Sequence, residues 1–169
     1  MHLIIAAVTL IAAWRWGDWK NWQLYYPTIL FMIVGNFLYN ILTYNYPIWM
    51  YQDSLFPNHT ITDIFNSLVL FPAVILLYLP RFPKEGMIKK VRYIVLWVIV
   101  FVSVEWLLSY FGLFSYYNGW SIVWSLIFNI GMFTILKIHF QKPLLAWIIS
   151  VIVILFLVIY FDVPIEKMR

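Results

Sequence analysis

Residues 89–112 read KKVRYIVLWVIVFVSVEWLLSYFG, and this stretch decides the class of the protein. Three basic residues, Lys89, Lys90 and Arg92, precede a nearly unbroken apolar run, and one carboxylate, Glu105, lies inside that run. A helix needs roughly 20 apolar residues to cross a bilayer core about 30 Å thick, and this run supplies them. The basic cluster marks its cytoplasmic end. The stretch predicts a transmembrane helix over 93–111 with an ionisable group buried in it.

The composition extends that reading to the whole chain. Of 169 residues, 64% are hydrophobic, 21% aromatic and only 11% charged, against about a quarter charged in ordinary soluble domains. The expected fold class is all-α, a polytopic transmembrane helical bundle forming one domain over residues 1–169. Its six predicted spans are 2–16, 27–43, 63–79, 93–111, 120–138 and 144–161, or five if the short first segment fails to cross. The net charge of +4 does not point to nucleic acid, because Lys and Arg sit in short groups between apolar runs. With no Cys, disulfides and thiolate metal sites are excluded.

The connectors carry further signals. Residues 14–26 mix tryptophan and tyrosine with Arg15 and Lys20, as expected of a segment at headgroup level. Pro27 suits the first position of the second helix. Residues 44–62 form the longest predicted loop, and the Asn58-His59-Thr60 triplet in it matches a glycosylation acceptor that carries weight only in a secretory eukaryotic context. Thr62 and Asp63 suit the start of the third helix, which Pro72 should bend, and Asn118-Gly119 signals a turn.

Positive charge sets the orientation. Arg15, Lys20, Arg81, Lys84, Lys89, Lys90, Arg92, Lys137 and Lys142 fall on the odd connectors, leaving only Lys167 and Arg169 on the other side. Both termini are therefore expected outside. Counting 1.5 Å per residue from each outer end places Glu105 roughly 9 Å deep, Asn36 roughly 10 Å, Asn66 roughly 6 Å, Ser125 roughly 8 Å and Asn129 roughly 14 Å. Asn36 and Asn40 share a helix face by their spacing of four, as do Ser125 and Asn129, and Glu105 and Ser109.

Four helices can thus aim polar groups at one level. A charged carboxylate near mid-helix costs about 2.5–3.5 kcal/mol on insertion scales, so Glu105 must be neutralised, hydrated or paired. The expected ligand-binding set is Glu105, Asn36, Asn40, Asn66, Ser125 and Asn129. For the Asn and Ser residues the plainer role is interhelical hydrogen bonding, worth about 0.6 kcal/mol per contact. No phosphate loop, dinucleotide fingerprint, zinc motif or nucleophile elbow is present, and no cofactor is expected. No metal site is expected either, since His2 and His59 fall outside and His139 inside.

The stretches WRWGDWKNWQLYYPTILFMIVGNFLYN (14–40), YPIWMYQ (46–52) and EWLLSYFGLFSYYNGWSIVWSLIFN (105–129) resemble a family of small, uncharacterised polytopic membrane proteins of spore-forming Firmicutes such as bacilli and clostridia. The resemblance rests on Arg15, Trp22, Pro27, Gly35, Asn36, Glu105, Gly119 and Trp120. It implies a bacterial cytoplasmic membrane and brings no chemistry with it.

Three functions fit the residues. The first is a non-catalytic binding or accessory protein whose outer-leaflet polar pocket takes a lipid headgroup, a small amphiphile or a partner helix. The second is an intramembrane enzyme on a lipid-linked substrate, with Glu105 as acid or base. The third is a proton-coupled transporter or channel subunit. The first is preferred, because one carboxylate without a second acid, base or metal is thin ground for catalysis. Expected partners are membrane lipid and a membrane protein or second copy, with no nucleic acid.

Overall fold

A computed structural model describes residues 2–52 and 59–167. Among the described residues, five helices are long and apolar enough to cross a membrane: Trp19–Leu42, Thr60–Tyr78, Met87–Tyr110, Ile122–Gln141 and Pro143–Tyr160. The chain is a multi-pass, all-α membrane bundle. The first helix, α1 (His2–Trp16), has 15 residues. At 1.5 Å per residue it covers only about 22 Å, short of the hydrocarbon core.

Several predicted boundaries move. The second helix, α2 (Trp22–Leu42), begins five residues before Pro27, which therefore lies inside it. Its ring removes the N–H that would reach the Gln23 carbonyl. The aromatic connector expected over 14–26 shrinks accordingly to Gly17, Asp18 and a 3-10 turn, Trp19–Asn21. The orphan carbonyls at the end of α1 find partners there. Ala13 accepts from the Gly17 amide at 2.7 Å and the Trp19 indole at 2.6 Å, and Trp16 accepts from the Arg81 guanidinium. Asp18 accepts from the Asn21 amide at 3.0 Å and from the Tyr25 hydroxyl at 2.8 Å, and these bonds hold its carboxyl below the ordinary value.

The third span starts with α3 (His59–Phe65), passes through a π-helical turn (Asn66–Leu70) and continues as α4 (Phe71–Tyr78). In that turn the Phe71 amide reaches back five residues to the Asn66 carbonyl. The cause lies one residue on. Pro72 has no N–H for Leu68 and would press its ring against that carbonyl in a regular helix, whereas a widened turn gives it room. The Asn58 acceptor triplet lies partly outside the described residues. The remaining helices are α5 (Met87–Tyr110), α6 (Ile122–Gln141) and α7 (Pro143–Tyr160), with the predicted basic cluster now in the first turns of α5.

Helix α4 is the hub of the bundle: α1 and α2 pack directly against it, and α5 and α6 meet it through aromatic rings. Its residues Ala73, Val74, Ile75, Leu76 and Tyr78 are buried. The Tyr78 ring lies 5.0 Å from Phe133, 5.5 Å from Tyr93 and 5.7 Å from Trp97, and its hydroxyl donates to the Phe133 carbonyl at 2.8 Å. Tyr93 donates in turn to the Tyr78 carbonyl at 2.9 Å. A neighbouring tie joins α2 to α6, where Thr28 and His139 Nδ1 lie 3.0 Å apart, buried.

Tyr78→Phe removes one buried hydrogen bond and should cost about 0.5–1.5 kcal/mol. Tyr78→Ala leaves a cavity and should cost about 3–5 kcal/mol, on the scale of large aromatic truncations. Thermal unfolding of the purified protein in detergent measures both; equal losses for the two variants would contradict the role given to the ring.

Candidate functional site

At the end of the bundle opposite the basic connectors, two predicted loops pair with each other. Strand β1 (Trp49–Tyr51) and strand β2 (Phe114–Tyr116) run antiparallel, with Trp49 opposite Tyr116, Met50 opposite Ser115 and Tyr51 opposite Phe114. Flanking bonds extend the ladder, from the Gln52 amide to the Leu113 carbonyl and from the Tyr117 amide to the Ile48 carbonyl, both 2.9 Å. Because side chains alternate along a strand, Trp49, Tyr51, Phe114 and Tyr116 share one face. Their ring contacts show that this is the face turned to the bundle. The predicted turn follows β2, with Asn118 and Gly119 both left-handed at φ 49° and 84°. The Asn118 amide donates to the Pro47 carbonyl at 2.8 Å and so ties the two connectors again.

One side chain of α2 pins this cap. The Tyr39 hydroxyl donates to the Trp49 carbonyl at 2.8 Å and accepts from the Trp49 amide at 3.0 Å, while the two rings stack at 3.9 Å, nearly parallel.

Under the cap the predicted polar residues fall into separate groups. Glu105, half-buried on α5, accepts from the Tyr116 hydroxyl at 2.7 Å, and the Ser125 hydroxyl adjoins both groups. Ser125 itself is buried and accepts from the Trp120 indole at 2.8 Å. Asn129, also buried, bonds back to the Ser125 carbonyl at 2.8 Å, within its own helix. On the other side Asn36 donates to Ser67 at 2.8 Å, and Ser67 donates to the Asp63 main-chain carbonyl at 2.6 Å. Asn40 bonds back to the Asn36 carbonyl at 3.0 Å. Asn66 is buried in the π turn. The predicted set thus does not converge on one point: Glu105, Ser125 and Asn129 gather on α5 and α6, Asn36 and Asn40 on α2 beside Ser67, and Asn66 is buried in the π turn.

A residue that sequence reasoning placed at a helix start proves to be the second carboxylate. Helix α3 begins at His59, so Asp63 lies within the span. It lines a small cavity of about 20 Å³ together with Tyr39, Asn40, Thr43, Tyr51 and neighbours from the 44–50 connector. A water requires roughly 10–15 Å³, so the space admits at least one water-sized group. Asn40 and Tyr44 also wall a wide apolar groove of about 420 Å³ between α2 and α3, completed by Phe37, Ile41, Thr60 and Ile64. Asn40 is the one member of the predicted set that borders both spaces; Glu105, Asn36, Asn66, Ser125 and Asn129 line neither. Among the described residues, no basic side chain acts on either carboxylate. No group of His and carboxylates there is arranged to hold a metal ion.

Comparison of the chain with family models, with curated proteins and with solved structures finds no match. The geometry alone therefore carries the functional argument.

The tyrosines of the cap give the site a pH dependence. Burial, and then the charges of Asp63 and Glu105, raise the Tyr51 phenol above its usual value of 10.0. Burial and the bond to Glu105 raise Tyr116 in the same direction. A raised phenol favours the folded state while protonated, so its contribution is full below the unfolded value near pH 10 and is lost as pH rises further. Thermal melts between pH 8 and about 11 should fall steeply at the alkaline end, and Tyr116→Phe should reduce that fall. An alkaline slope unchanged by the substitution would contradict the coupling.

Proposed function

We propose that this is a non-catalytic membrane protein that holds an amphiphile at the outer end of the bundle, polar head in the Asp63 cavity and chain in the α2–α3 groove. It would act in a bacterial cytoplasmic membrane, the setting implied by its resemblance to the Firmicute membrane proteins. The observation that carries the reading is the adjacency of the two spaces: Asn40 and Tyr44 line both a carboxylate-lined cavity and an apolar groove. An amphiphile has the same division, a compact polar group joined to an apolar chain. Ile41 and Ile64 in the groove are 48% and 42% exposed, so a chain lying there would cover apolar surface already turned outward.

Two alternatives draw less support. As an acid, a base or a proton carrier, Glu105 would need room for a substrate or an ion beside it. Its carboxylate instead faces Tyr116 and Ser125 and borders neither space.

A phospholipid carrying a photoactivatable group in mid-chain tests the proposal in reconstituted vesicles. Labelling should concentrate on Phe37, Ile41 and Ile64, well above that of equally lipid-facing residues such as Ile152 on α7. Even labelling of all outward-facing helices would contradict a held amphiphile.

A further inference from the structure

The basic residues at one end of the bundle are not equivalent in the structure. Lys84, Lys89, Arg92 and Lys142 are exposed, and charge carried in water is all that topology requires of them. Lys90 on α5 and Lys137 on α6 are half-buried instead. We infer that these two lysines form an anion site at the basic end of the bundle, and that its ligand is a phosphate group. The site is separate from the amphiphile site proposed at the opposite end and does not rest on it.

The Lys137 side chain is held in place by aromatic rings. Its ammonium lies 4.8 Å from the centre of the Phe82 ring and 5.1 Å from that of Phe140. Both rings are themselves fixed: Phe82 meets Tyr78 and Tyr93 edge-on at 5.7 and 5.6 Å, and Phe140 stacks on Tyr25 at 5.6 Å. The charge is thus positioned between the last turns of α6 and the connector that joins α4 to α5.

What it lacks is a counter-ion. Among the described residues neither lysine forms an ion pair, and Lys90 is the charged group that acts on Lys137. The carboxylates of this end are placed otherwise, since Asp18 accepts from Asn21 and Tyr25, and Glu85 is exposed on the connector. Two like charges partly withdrawn from water lose hydration and repel each other, and an anion between them offsets both losses.

The donors select the class of anion. Each ammonium is a compact point charge with three N–H donors and no preferred plane. A carboxylate carries its two oxygens on one edge and suits a single fork, whereas a phosphate spreads its oxygens over a tetrahedron and can meet two separate cations at once. The location favours the same group, because basic pockets between helices at the positively charged end of a membrane protein lie level with headgroup phosphates. A phospholipid of that leaflet and a soluble phosphate ester present this chemistry alike.

Thermal unfolding of the full-length protein in detergent at constant ionic strength tests the site with two pairs of probes: phosphatidylglycerol against phosphatidylcholine of identical chains, and glycerol phosphate against acetate. The anionic lipid, the soluble phosphate or both should raise Tm over the paired control by about 3 °C or more at saturation. A gain in the lipid pair alone assigns a headgroup, and a gain in the soluble pair alone assigns a phosphate ester. Lys90→Gln combined with Lys137→Gln should abolish the gain, whereas Lys84→Gln combined with Lys89→Gln, which removes the same charge from exposed positions, should keep it. Absence of any gain in the wild-type protein, an arm that needs no variant to fold, would overturn the site. Equal loss in the two double variants would overturn it as well, in favour of diffuse charge.

Discussion

Tyr39 exchanges two hydrogen bonds with the backbone of one residue, Trp49, and lays its ring flat against the indole. The end of the bundle opposite the basic connectors depends on that contact. It clamps a three-residue strand, too short to persist alone, onto a helix end, and the strand then provides an edge for β2. Once the two connectors are paired, an aromatic face covers the bundle, Tyr116 reaches Glu105 and Tyr51 comes within electrostatic range of both carboxylates. The underlying constraint is that lipid satisfies no polar group, so the chain must complete its own hydrogen bonding.

Phenols do most of that work. With 21% aromatic residues and 11% charged, the protein has few ion pairs to draw on and many rings with a polar end. Tyr78 and Tyr93 bond helix carbonyls in the core, Tyr25 bonds Asp18 at the basic end, and Tyr39 and Tyr116 act at the opposite end. Each buries a large apolar surface while its hydroxyl serves one acceptor, a combination that Asn and Ser cannot match. The back-bonding of Asn40 and Asn129 within their own helices fits this division, because the interhelical ties lie largely elsewhere.

The helical bundle was legible in the sequence because apolar length and the spacing of basic groups are direct consequences of bilayer thickness and topology. Level along the bundle was legible too: Glu105, Asn36, Ser125 and Asn129 all lie in the half of their helices nearer the paired strands. Rotation was not. Depth counts rise along an axis and says nothing about azimuth, so Asn36 meets Ser67, the neighbour of the predicted Asn66, within the π turn. Asp63 was missed because Thr60, Thr62 and Asp63 each suit a helix start, and the true start four residues earlier carries the carboxylate into the span. The cap left a faint trace. WMY and FSY are rich in β-favouring aromatics, but only the fold brings two loops 65 residues apart, as Gln52 and Tyr117 are, to a common edge.

The pairing of β1 with β2 supports everything assigned to this end of the bundle, and the absence of native cysteine makes it directly measurable. Met50→Cys combined with Ser115→Cys places two thiols on opposed residues of the outward face of the cap. Under mild oxidation in membranes the account predicts an intramolecular cross-link in the double variant, visible as a shift on non-reducing gels and reversed by thiol. Failure to cross-link, with each single cysteine still labelling freely, would show that the connectors do not pair and would remove the cap, the cavity beneath it and the binding role built on them.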